Sequence, residues 1–334
     1  MPKVTMDSLA ASLGVSKNTV SRALRGLSGV SDEMRTQIIA LADEMGYKMK
    51  AKENPLLHVV MIYRKSLTDD VFFWPGVLGG IMDCAADKGI SIRALTADTN
   101  GNAASLSLAL REQKCDGLLI VNDIEDNTLR QLAGLKLPMV VVDYHTDSID
   151  CDYVNTDNQN GIRQAIAHLV AHHHHRIGFI SNADRLYSFE ERLAAFRHHM
   201  GKQALTVDER FIWLDAGYED YVYLKEKIRL LETADTPPTA FICVNDVMAA
   251  NFTRALADTG RCVPDDISII GFDNSTLPGG TAFTTLEVQR RALGLRSLEQ
   301  LMLRIAAPDR PFETLHINTT LIVRDSVKDV ITLK

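Results

Sequence analysis

The chain has 334 residues, of which 46% are hydrophobic and 24% are charged. This composition is that of a globular protein, and the length exceeds that of most single domains, so we expect two or three folding units. The formal net charge of −7 is unevenly spread: residues 1–52 carry eight Lys or Arg and five Asp or Glu, a net +3, whereas the remainder has a net charge of −10. A basic head on an acidic body confines affinity for nucleic acid to the head.

Several classes of protein are disfavoured by what the sequence lacks. No apolar run approaches the length of a membrane span, and the first residues lack the apolar core of a signal peptide. The five cysteines are scattered and form no C-x-x-C pair, so we expect reduced thiols, a cytoplasmic location and no contact with a membrane. There is no Gly-rich phosphate loop, G-x-S-x-G motif or H-E-x-x-H motif, so we expect neither an enzyme nor a cofactor.

Residues 5–47 predict three short helices. The first covers about 5–13 and is stopped by Gly14, the second covers 17–24 after an N-cap at Ser16, and the third begins after a Ser31 cap. Apolar residues recur at helical spacing in each segment. Two helices joined by a tight turn, with a polar exposed face on the second, predict a helix-turn-helix that reads DNA.

The polar residues of this segment fit the chemistry of duplex DNA. Arg and Lys pair with guanine, Asn pairs with adenine, and hydroxyl groups suit phosphate. The alternative is a small surface hairpin of helices with scattered polar residues. The candidates for DNA contact are Thr5, Ser16, Lys17, Asn18, Thr19, Ser21 and Arg22.

The segment resembles the headpiece of the LacI/GalR family of bacterial repressors. This resemblance implies a ligand-controlled transcription factor that binds operator DNA as a homodimer. The residues that carry it are Thr5, Ala10, Gly14, Val15, Ser16, Thr19, Val20, Ser21, Arg22, Leu24, Val30, Ser31, Arg35, Ile38, Gly46 and Tyr47.

Repressors of this family usually continue into a hinge that begins Tyr-x-Pro-Asn and folds on DNA, where it places a Leu in the minor groove. In this chain Tyr47 and Leu56 have the family spacing, but the Pro-Asn is missing and Pro55 falls inside the expected helix. Proline in a helix interior removes a hydrogen bond and clashes with the preceding turn, so we expect a poorly formed hinge helix. Lys48 and Lys50 remain candidates for phosphate contacts, and Leu56 for the minor-groove contact.

Strand-like and helix-like segments alternate after the hinge, which predicts parallel sheets in an α/β fold. Because about 270 residues exceed one doubly wound sheet, we expect two lobes with a cleft between them. The strand-like runs are 58–63, 90–95, 117–121, 138–143, 176–181, 239–244 and 268–272. The helical segments lie near 76–88, 103–113, 159–173, 188–200, 218–232 and 246–259.

The family resemblance continues here and implies a type I periplasmic-binding-protein-like body. It rests on motifs such as Asn245-Asp246, the run 263–268 (VPDDIS) and Gly271-Phe272-Asp273. We therefore expect a headpiece at 1–47, a hinge at 48–57 and an effector-binding and dimerisation domain at 58–334, with an N-lobe of about 58–157 and 286–317 and a C-lobe of about 158–285 and 318–334.

Candidate ligand-binding residues lie where strands end, as ligands of parallel sheets usually do. Asp273, Asn245 and Asp246 follow strands, and the family pattern places Arg192 at the beginning of a helix that follows another. Such groups hydrogen-bond sugar hydroxyls, and aromatic residues stack on a sugar's apolar face. Asp273 and Asn245 have the alternative role of capping helices or tying loops. The effector-binding candidates are Phe72, Phe73, Trp74, Arg192, Tyr218, Asn245, Asp246 and Asp273.

Four consecutive histidines, 172–175, raise the question of a metal site. Neighbouring side chains on a helix point about 100° apart, so His172 and His175 are the pair that can share a metal. The alternative is a solvated helix C-terminus, where protonated histidines suit the helix dipole. We favour this alternative and expect no metal.

The residues together predict a repressor of a carbohydrate-utilisation operon that binds double-stranded operator DNA and is controlled by a sugar. Aromatic walls suit a nucleobase equally well and Arg192 suits a phosphate, so a nucleobase or a sugar phosphate stays open as the effector. The rival class is the solute-binding protein of a transporter, which would share the two-lobed body but would have a signal peptide and no headpiece.

Overall fold

The computed structural model describes residues 4–24, 29–47, 56–65, 70–97, 103–111, 114–184, 186–217, 220–278, 280 and 283–330. The chain divides into two compact units, Met1–Leu56 and Leu57–Lys334. Within the described part, no helix has the length and apolar character that crossing a membrane requires.

The first unit is a bundle of three helices whose ends are capped as the sequence predicts. The Thr5 hydroxyl accepts the Ser8 amide at 3.2 Å, and the Ser16 hydroxyl accepts the Thr19 amide at 3.1 Å. Gly14 ends the first helix with φ 64°, a left-handed conformation that glycine adopts without strain. The helices are α1 (Met6–Leu13), α2 (Lys17–Leu24) and α3 (Asp32–Glu44). They enclose a core of Leu9, Ala10, Val20, Ala23, Ile38 and Ala42.

The N-lobe of the second unit is built on a six-stranded parallel sheet. Its strands are β1 (His58–Arg64), β2 (Ser91–Ala97), β3 (Gly117–Val121), β4 (Met139–Val142), β5 (Asp152–Thr156) and β11 (Thr314–Ile317), in the order β11-β5-β4-β3-β1-β2. Its helices are α4 (Trp74–Lys88), α5 (Ala103–Arg111), α6 (Asp126–Ala133) and α11 (Arg290–Ala306). Helices α4 and α11 approach so closely that a Cβ on Gly294 would overlap the Val77 carbonyl oxygen.

The C-lobe has a second sheet of six strands. These are β6 (Ile177–Ile180), β7 (Ile212–Trp213), β8 (Ala240–Cys243), β9 (Ser268–Asp273), β10 (Thr284–Glu287) and β12 (Thr320–Ile322), in the order β12-β10-β9-β8-β6-β7. The sheet is parallel except for β12, which runs antiparallel to β10. Its helices are α7 (Asn158–Ala171), α8 (Tyr187–Lys202), α9 (Tyr221–Thr233) and α10 (Asp246–Asp258).

This architecture confirms the predicted α/β class with parallel sheets. Each of the seven predicted strands has a counterpart, whereas β5, β7, β10, β11 and β12 were not predicted, nor were α6 and α11. Strands in the centre of the two sheets are buried along their whole length, as in β3 and β8. The carboxyl ends of both sheets carry the loops that form the cleft described below.

The histidine run contradicts the prediction of a wholly solvated helix end. His174 is 1% exposed, with its Nδ1 2.8 Å from the Thr239 hydroxyl and its Nε2 2.9 Å from the Lys328 carbonyl oxygen. Burial lowers its pKa to about 4, so the ring is neutral rather than a charged partner of the helix dipole. His172 instead ends helix α7, where its ring nitrogen lies 2.8 Å from the His168 carbonyl oxygen. Across the described residues, no three His, Cys, Asp or Glu side chains are arranged to hold a metal ion.

Candidate effector cleft and DNA-reading surface

The polar face of α2 presents side chains of graded exposure. Lys17 and Asn18 are exposed at the start of the helix, whereas Ser21 and Arg22 are partly buried. Lys17 Nζ lies 2.8 Å from an Asp7 carboxylate oxygen, and this surface pair is weak in water. The Lys17 ammonium group therefore remains available to a polyanion such as DNA.

Three other candidates of the headpiece take part in its own turns. Thr5 caps α1, and the hydroxyls of Ser16 and Thr19 lie 2.8 Å apart at the start of α2. Leu56 is 52% exposed. The candidates Lys48 and Lys50, together with Pro55, lie outside the described residues, and so does Tyr218.

A cleft of about 510 Å³ lies where the carboxyl ends of the two sheets face each other. This volume suits a small ligand, since such sites usually enclose about 300–1,000 Å³. It is lined from the N-lobe by Arg64, Asp70, Phe72, Phe73, Trp74, Asn122, Asp123 and Asp143, and from the C-lobe by Asp184, Leu186, Ser188, Phe189, Arg192, Asn245, Val247 and Asp273.

The aromatic wall of the cleft is formed by the three predicted residues, and their positions are fixed by their surroundings. Phe73 and Trp74 pack edge to face with centroids 5.0 Å apart, and each is 6% exposed. Phe72 is half-buried, and its carbonyl oxygen accepts a hydrogen bond from Arg290 at 3.0 Å. The Asp70 carboxylate accepts the amides of Phe72 and Phe73, both at 3.0 Å.

Arg192 lies inside helix α8, not at its beginning as predicted, because α8 already starts at Tyr187. The residue is 1% exposed. Its guanidinium donates to Asn158 Oδ1 at 2.9 Å, to the Val244 carbonyl at 2.7 Å and to Asp273 Oδ1 at 3.3 Å. It also lies over the Phe272 ring at 3.7 Å from the centroid. These contacts hold the Arg192 guanidinium rigidly in the wall of the cleft.

Two of the predicted strand-end residues line the cleft from the C-lobe. Asp273 ends β9 with φ 100°, and its pKa is raised because burial outweighs the neighbouring Arg192. Asn245 is the N-cap of α10 and accepts the Met248 amide at 2.9 Å. The capping role proposed as an alternative for Asn245 is therefore present, and the side chain also borders the cavity.

Asp246 does not line the cleft, in contrast to the prediction. It is fully buried behind β9, where it accepts the Ser275 amide and the Thr285 hydroxyl, both at 2.6 Å. Burial raises its pKa to about 7. As the first residue of α10, Asp246 points into the C-lobe while the preceding cap residue faces the cavity. Its role is to tie the loop after β9 to the helix.

Several cleft residues of both lobes were missed by the sequence reasoning, and three polar ones of the N-lobe lie at or directly after the ends of predicted strands. Asn122 and Asp123 follow β3, and Asp143 follows β4. Asp143 is 7% exposed, accepts the Thr156 hydroxyl at 3.2 Å, and has a pKa raised to about 7 by burial. The rule that ligands bind at strand ends, applied to every predicted strand, would have found these three residues.

A chain of hydrogen bonds supports the cleft from behind. Asn158, which orients Arg192, donates to a Glu191 carboxylate oxygen at 2.8 Å. Burial and a hydrogen bond between the Tyr187 hydroxyl and the same Glu191 raise the pKa of the tyrosine. The Tyr187 ring meets the Tyr144 ring of the N-lobe edge to face, with centroids 5.8 Å apart. The two lobes are therefore in direct contact beside the cleft.

A helix-turn-helix unit on the same chain as a two-lobed body with a cleft defines the class of a ligand-responsive DNA-binding regulator. Residues 5–49 match the model of bacterial regulatory proteins of the lacI family, and residues 166–327 match the model of the periplasmic binding protein-like domain.

Whole-length relatives have the same organisation. The HTH-type transcriptional repressor PurR of Photobacterium profundum is 29% identical and aligns over 98% of this chain and 99% of its own. The ribose operon repressor of Haemophilus influenzae is 25% identical over 97% of this chain and 98% of its own. The solved CelR-cellobiose complex is 26% identical, covers 97% of this chain and 100% of its own, and superposes with a TM-score of 0.70.

Residues 5–49 are a lacI-family DNA-binding headpiece, residues 166–327 belong to a periplasmic-binding-protein-like domain, and the full-length relatives are repressors of the lacI family. The chain is a DNA-binding transcriptional repressor with a ligand-binding domain, and not an enzyme. The family resemblance drawn from the headpiece residues is thereby confirmed.

Proposed function

We propose that the chain works as a homodimer on a pseudo-palindromic operator and that a polyhydroxylated small molecule, a sugar or sugar derivative, binds the cleft and controls DNA affinity. The observation that carries the proposal is the cleft itself: an aromatic wall faces a set of amide and carboxylate groups across about 510 Å³. Carboxylate and amide oxygens accept hydrogen bonds from hydroxyl groups, and an aromatic face covers the C–H face of a pyranose or furanose ring.

Two relatives support a carbohydrate by their names. One is a ribose operon repressor, and the other was solved as a cellobiose complex. The proposal places this chain with them as a regulator of carbohydrate use in the bacterial cytoplasm, where operator DNA is found.

A homodimer follows from the size of the reading head. One helix such as α2 reaches few base edges, so useful affinity and specificity need two half-sites about one helical turn apart. In this proposal Lys17, Asn18, Ser21 and Arg22 read bases or contact phosphates, and Lys48, Lys50 and Leu56 assist beside them.

The control step is proposed as a change in lobe arrangement that alters the spacing of the two headpieces. Linkage requires that DNA then changes effector affinity by the same factor as the effector changes DNA affinity. Such a rearrangement would change the contact between the Tyr187 and Tyr144 rings, which joins the two lobes.

Of the alternatives for the effector, a nucleobase is favoured by the aromatic wall of Phe72 and Trp74. A sugar phosphate is disfavoured because the Arg192 guanidinium already donates to three protein groups. A solute-binding protein of a transporter is disfavoured because residues 5–49 match the lacI-family headpiece.

The proposal is tested by gel shifts and thermal shifts on the full chain. A panel of sugars, sugar phosphates and purines is screened for a rise in melting temperature, since a ligand at about 100 times its Kd adds roughly 2.7 kcal/mol of stability. Each hit is then titrated into a gel shift with an operator selected from random DNA. We expect Phe72→Ala to weaken binding of the hit compound, and we expect Val71→Ala, a change at the exposed neighbour, to leave its binding unchanged. Equal binding to operator and random DNA would refute the DNA-reading part.

A further inference from the structure

We propose that the cleft selects an effector that carries a positively charged amine beside its hydroxyl groups, and that it excludes phosphorylated and carboxylated ligands. This inference rests on the proposed function, since it names the chemical class of the effector. It follows from how the charges of the cleft are paired.

The lining of the cleft is strongly acidic. It contains five carboxylates, of Asp70, Asp123, Asp143, Asp184 and Asp273, but only two guanidiniums among the residues that the structure describes. The charges come from both lobes and from the ends of five different strands. A cavity lined by one sign of charge between low-dielectric walls focuses its field on whatever enters.

Both guanidiniums are already neutralised by carboxylates of the same cleft. Arg64 lies 2.7 Å from Asp123, and Arg192 lies 3.3 Å from Asp273. Arg290, which stands behind the aromatic wall, donates to the carbonyl oxygens of Phe72 and Asn274. An incoming phosphate would therefore have to displace a carboxylate from an arginine.

Three carboxylates have no cationic partner in the described chain. Asp70 accepts backbone amides, Asp184 accepts the Asn182 side-chain amide at 2.8 Å, and Asp143 accepts the Thr156 hydroxyl. Asp70 and Asp184 are exposed at the mouth, whereas Asp143 is 7% exposed. Oδ2 of Asp143 accepts no hydrogen bond from any described residue, although the side chain borders the cavity.

An unpaired carboxylate buried to this degree is costly, because a charge that loses its hydration needs a partner. Among the charged neighbours of Asp143, Arg192 lowers its pKa, whereas the carboxylates of Asp273 and Glu191 raise it. Asp273 is in turn repelled by Asp70. Burial is the main cause of the raised pKa values of Asp143 and Asp273, and the neighbouring carboxylates add to it against the opposing effect of Arg192.

A ligand ammonium group offsets the repulsion between these carboxylates and their loss of hydration, because it supplies both a positive charge and hydrogen-bond donors to Asp143. A neutral sugar supplies donors but no charge, and a phosphate adds to the repulsion. A hydroxylated amine therefore matches the aromatic wall, the hydroxyl-binding groups and the charge of the cleft together.

The test uses a tethered probe, so that it depends neither on the identity of the effector nor on DNA. Val247 lines the cleft and is half-buried, and a Val247→Cys, Cys262→Ser chain places a thiol there. The thiol is reacted with 2-aminoethyl methanethiosulfonate, a cation, or with 2-sulfonatoethyl methanethiosulfonate, an anion. The exposed native Cys262 in the parent chain is the matched control site, since the other four cysteines are wholly or partly buried.

We expect the ratio of cation to anion rates to be at least about tenfold higher at position 247 than at Cys262, because focused fields change local concentrations by 10-fold or more. Adding Asp143→Asn should lower this ratio. The aminoethyl adduct should melt about 2–4 °C above the sulfonatoethyl adduct. Equal rates at the two sites, or a sulfonate adduct that is the more stable one, would overturn the inference. Because gel shifts measure the proposed function separately, the two failures are distinguishable.

Discussion

The two lobes contribute to the same cleft in opposite ways. On the C-lobe side, Arg192, Asp273 and Asn245 are held by hydrogen bonds to each other, to a main-chain carbonyl and to a helix end. On the N-lobe side, Asp143 keeps spare hydrogen-bonding capacity and lacks an ion-pair partner among the described residues. We therefore expect the rigidly held Arg192–Asp273 pair of the C-lobe to set ligand orientation and Asp143 of the N-lobe to contribute specificity.

The largest expected effect is the loss of stability when the Arg192 guanidinium of the C-lobe is removed. Arg192→Met leaves Asp273 and Asn158 buried without their donor, and breaking one member of a buried pair usually costs about 3–5 kcal/mol. Arg197→Met on the same helix breaks only an exposed pair with Glu209, worth about 0.2–1 kcal/mol. Urea unfolding measures both. If the two variants lost the same stability, the C-lobe half would not be the preorganised one.

The N-lobe should respond in the opposite direction and with a clear pH dependence. The pKa of Asp143 is about 7 in the folded chain against an ordinary 3.8, so the folded state holds this proton more tightly. Its contribution to stability is complete at low pH and is lost as the pH rises from about 4 through 7. Asparagine does not titrate at this position.

The difference in unfolding free energy between Asp143→Asn and the parent should therefore rise in favour of the variant by about 2 kcal/mol as the pH is raised from roughly 5 to 8. Urea midpoints at the two pH values measure the gain, and Asp184→Asn, which changes an exposed carboxylate of the same cleft, is the control variant. A constant difference for Asp143→Asn across this range would mean that the carboxylate is better solvated than its burial indicates.

The same contrast explains how much of the site could be predicted from the sequence. The strands that carry the cleft were predicted because buried parallel strands are runs of Val, Ile and Leu, and the strand-end rule then led to Asn245 and Asp273. The rule does not say which neighbour faces the cavity, so Asp246 was assigned wrongly. The pairing of Arg192 with Asp273 joins residues 81 positions apart and leaves no local pattern.

Some of the strands that were missed have sequence patterns that resemble loops, and others are very short. Strand β5 reads DYVNT, in which only Tyr153 and Val154 are largely apolar although all five residues are buried. Strands β7 and β12 have two and three residues. Their existence depends on pairing with strands far away in the chain, which propensity does not record.

The smallest expected effect compares one asparagine from each lobe. Asn245→Ala removes the N-cap of α10 and should cost about 0.5–2 kcal/mol of stability. Asn122 has φ 68°, so Asn122→Gly keeps the backbone conformation that alanine would strain, and it removes mainly a bond from the Asp123 amide at 2.7 Å. Asn122→Gly should therefore cost less stability than Asn245→Ala, because glycine keeps the left-handed backbone conformation and no helix cap is lost. Both variants should weaken binding of an effector found by the thermal-shift screen, because both side chains border the cavity.

The decisive measurement is the pair of values for each variant, the urea midpoint without ligand and the Kd of the hit. A loss of stability in Asn122→Gly as large as in Asn245→Ala would mean that the N-lobe half of the cleft is as tightly built as the C-lobe half.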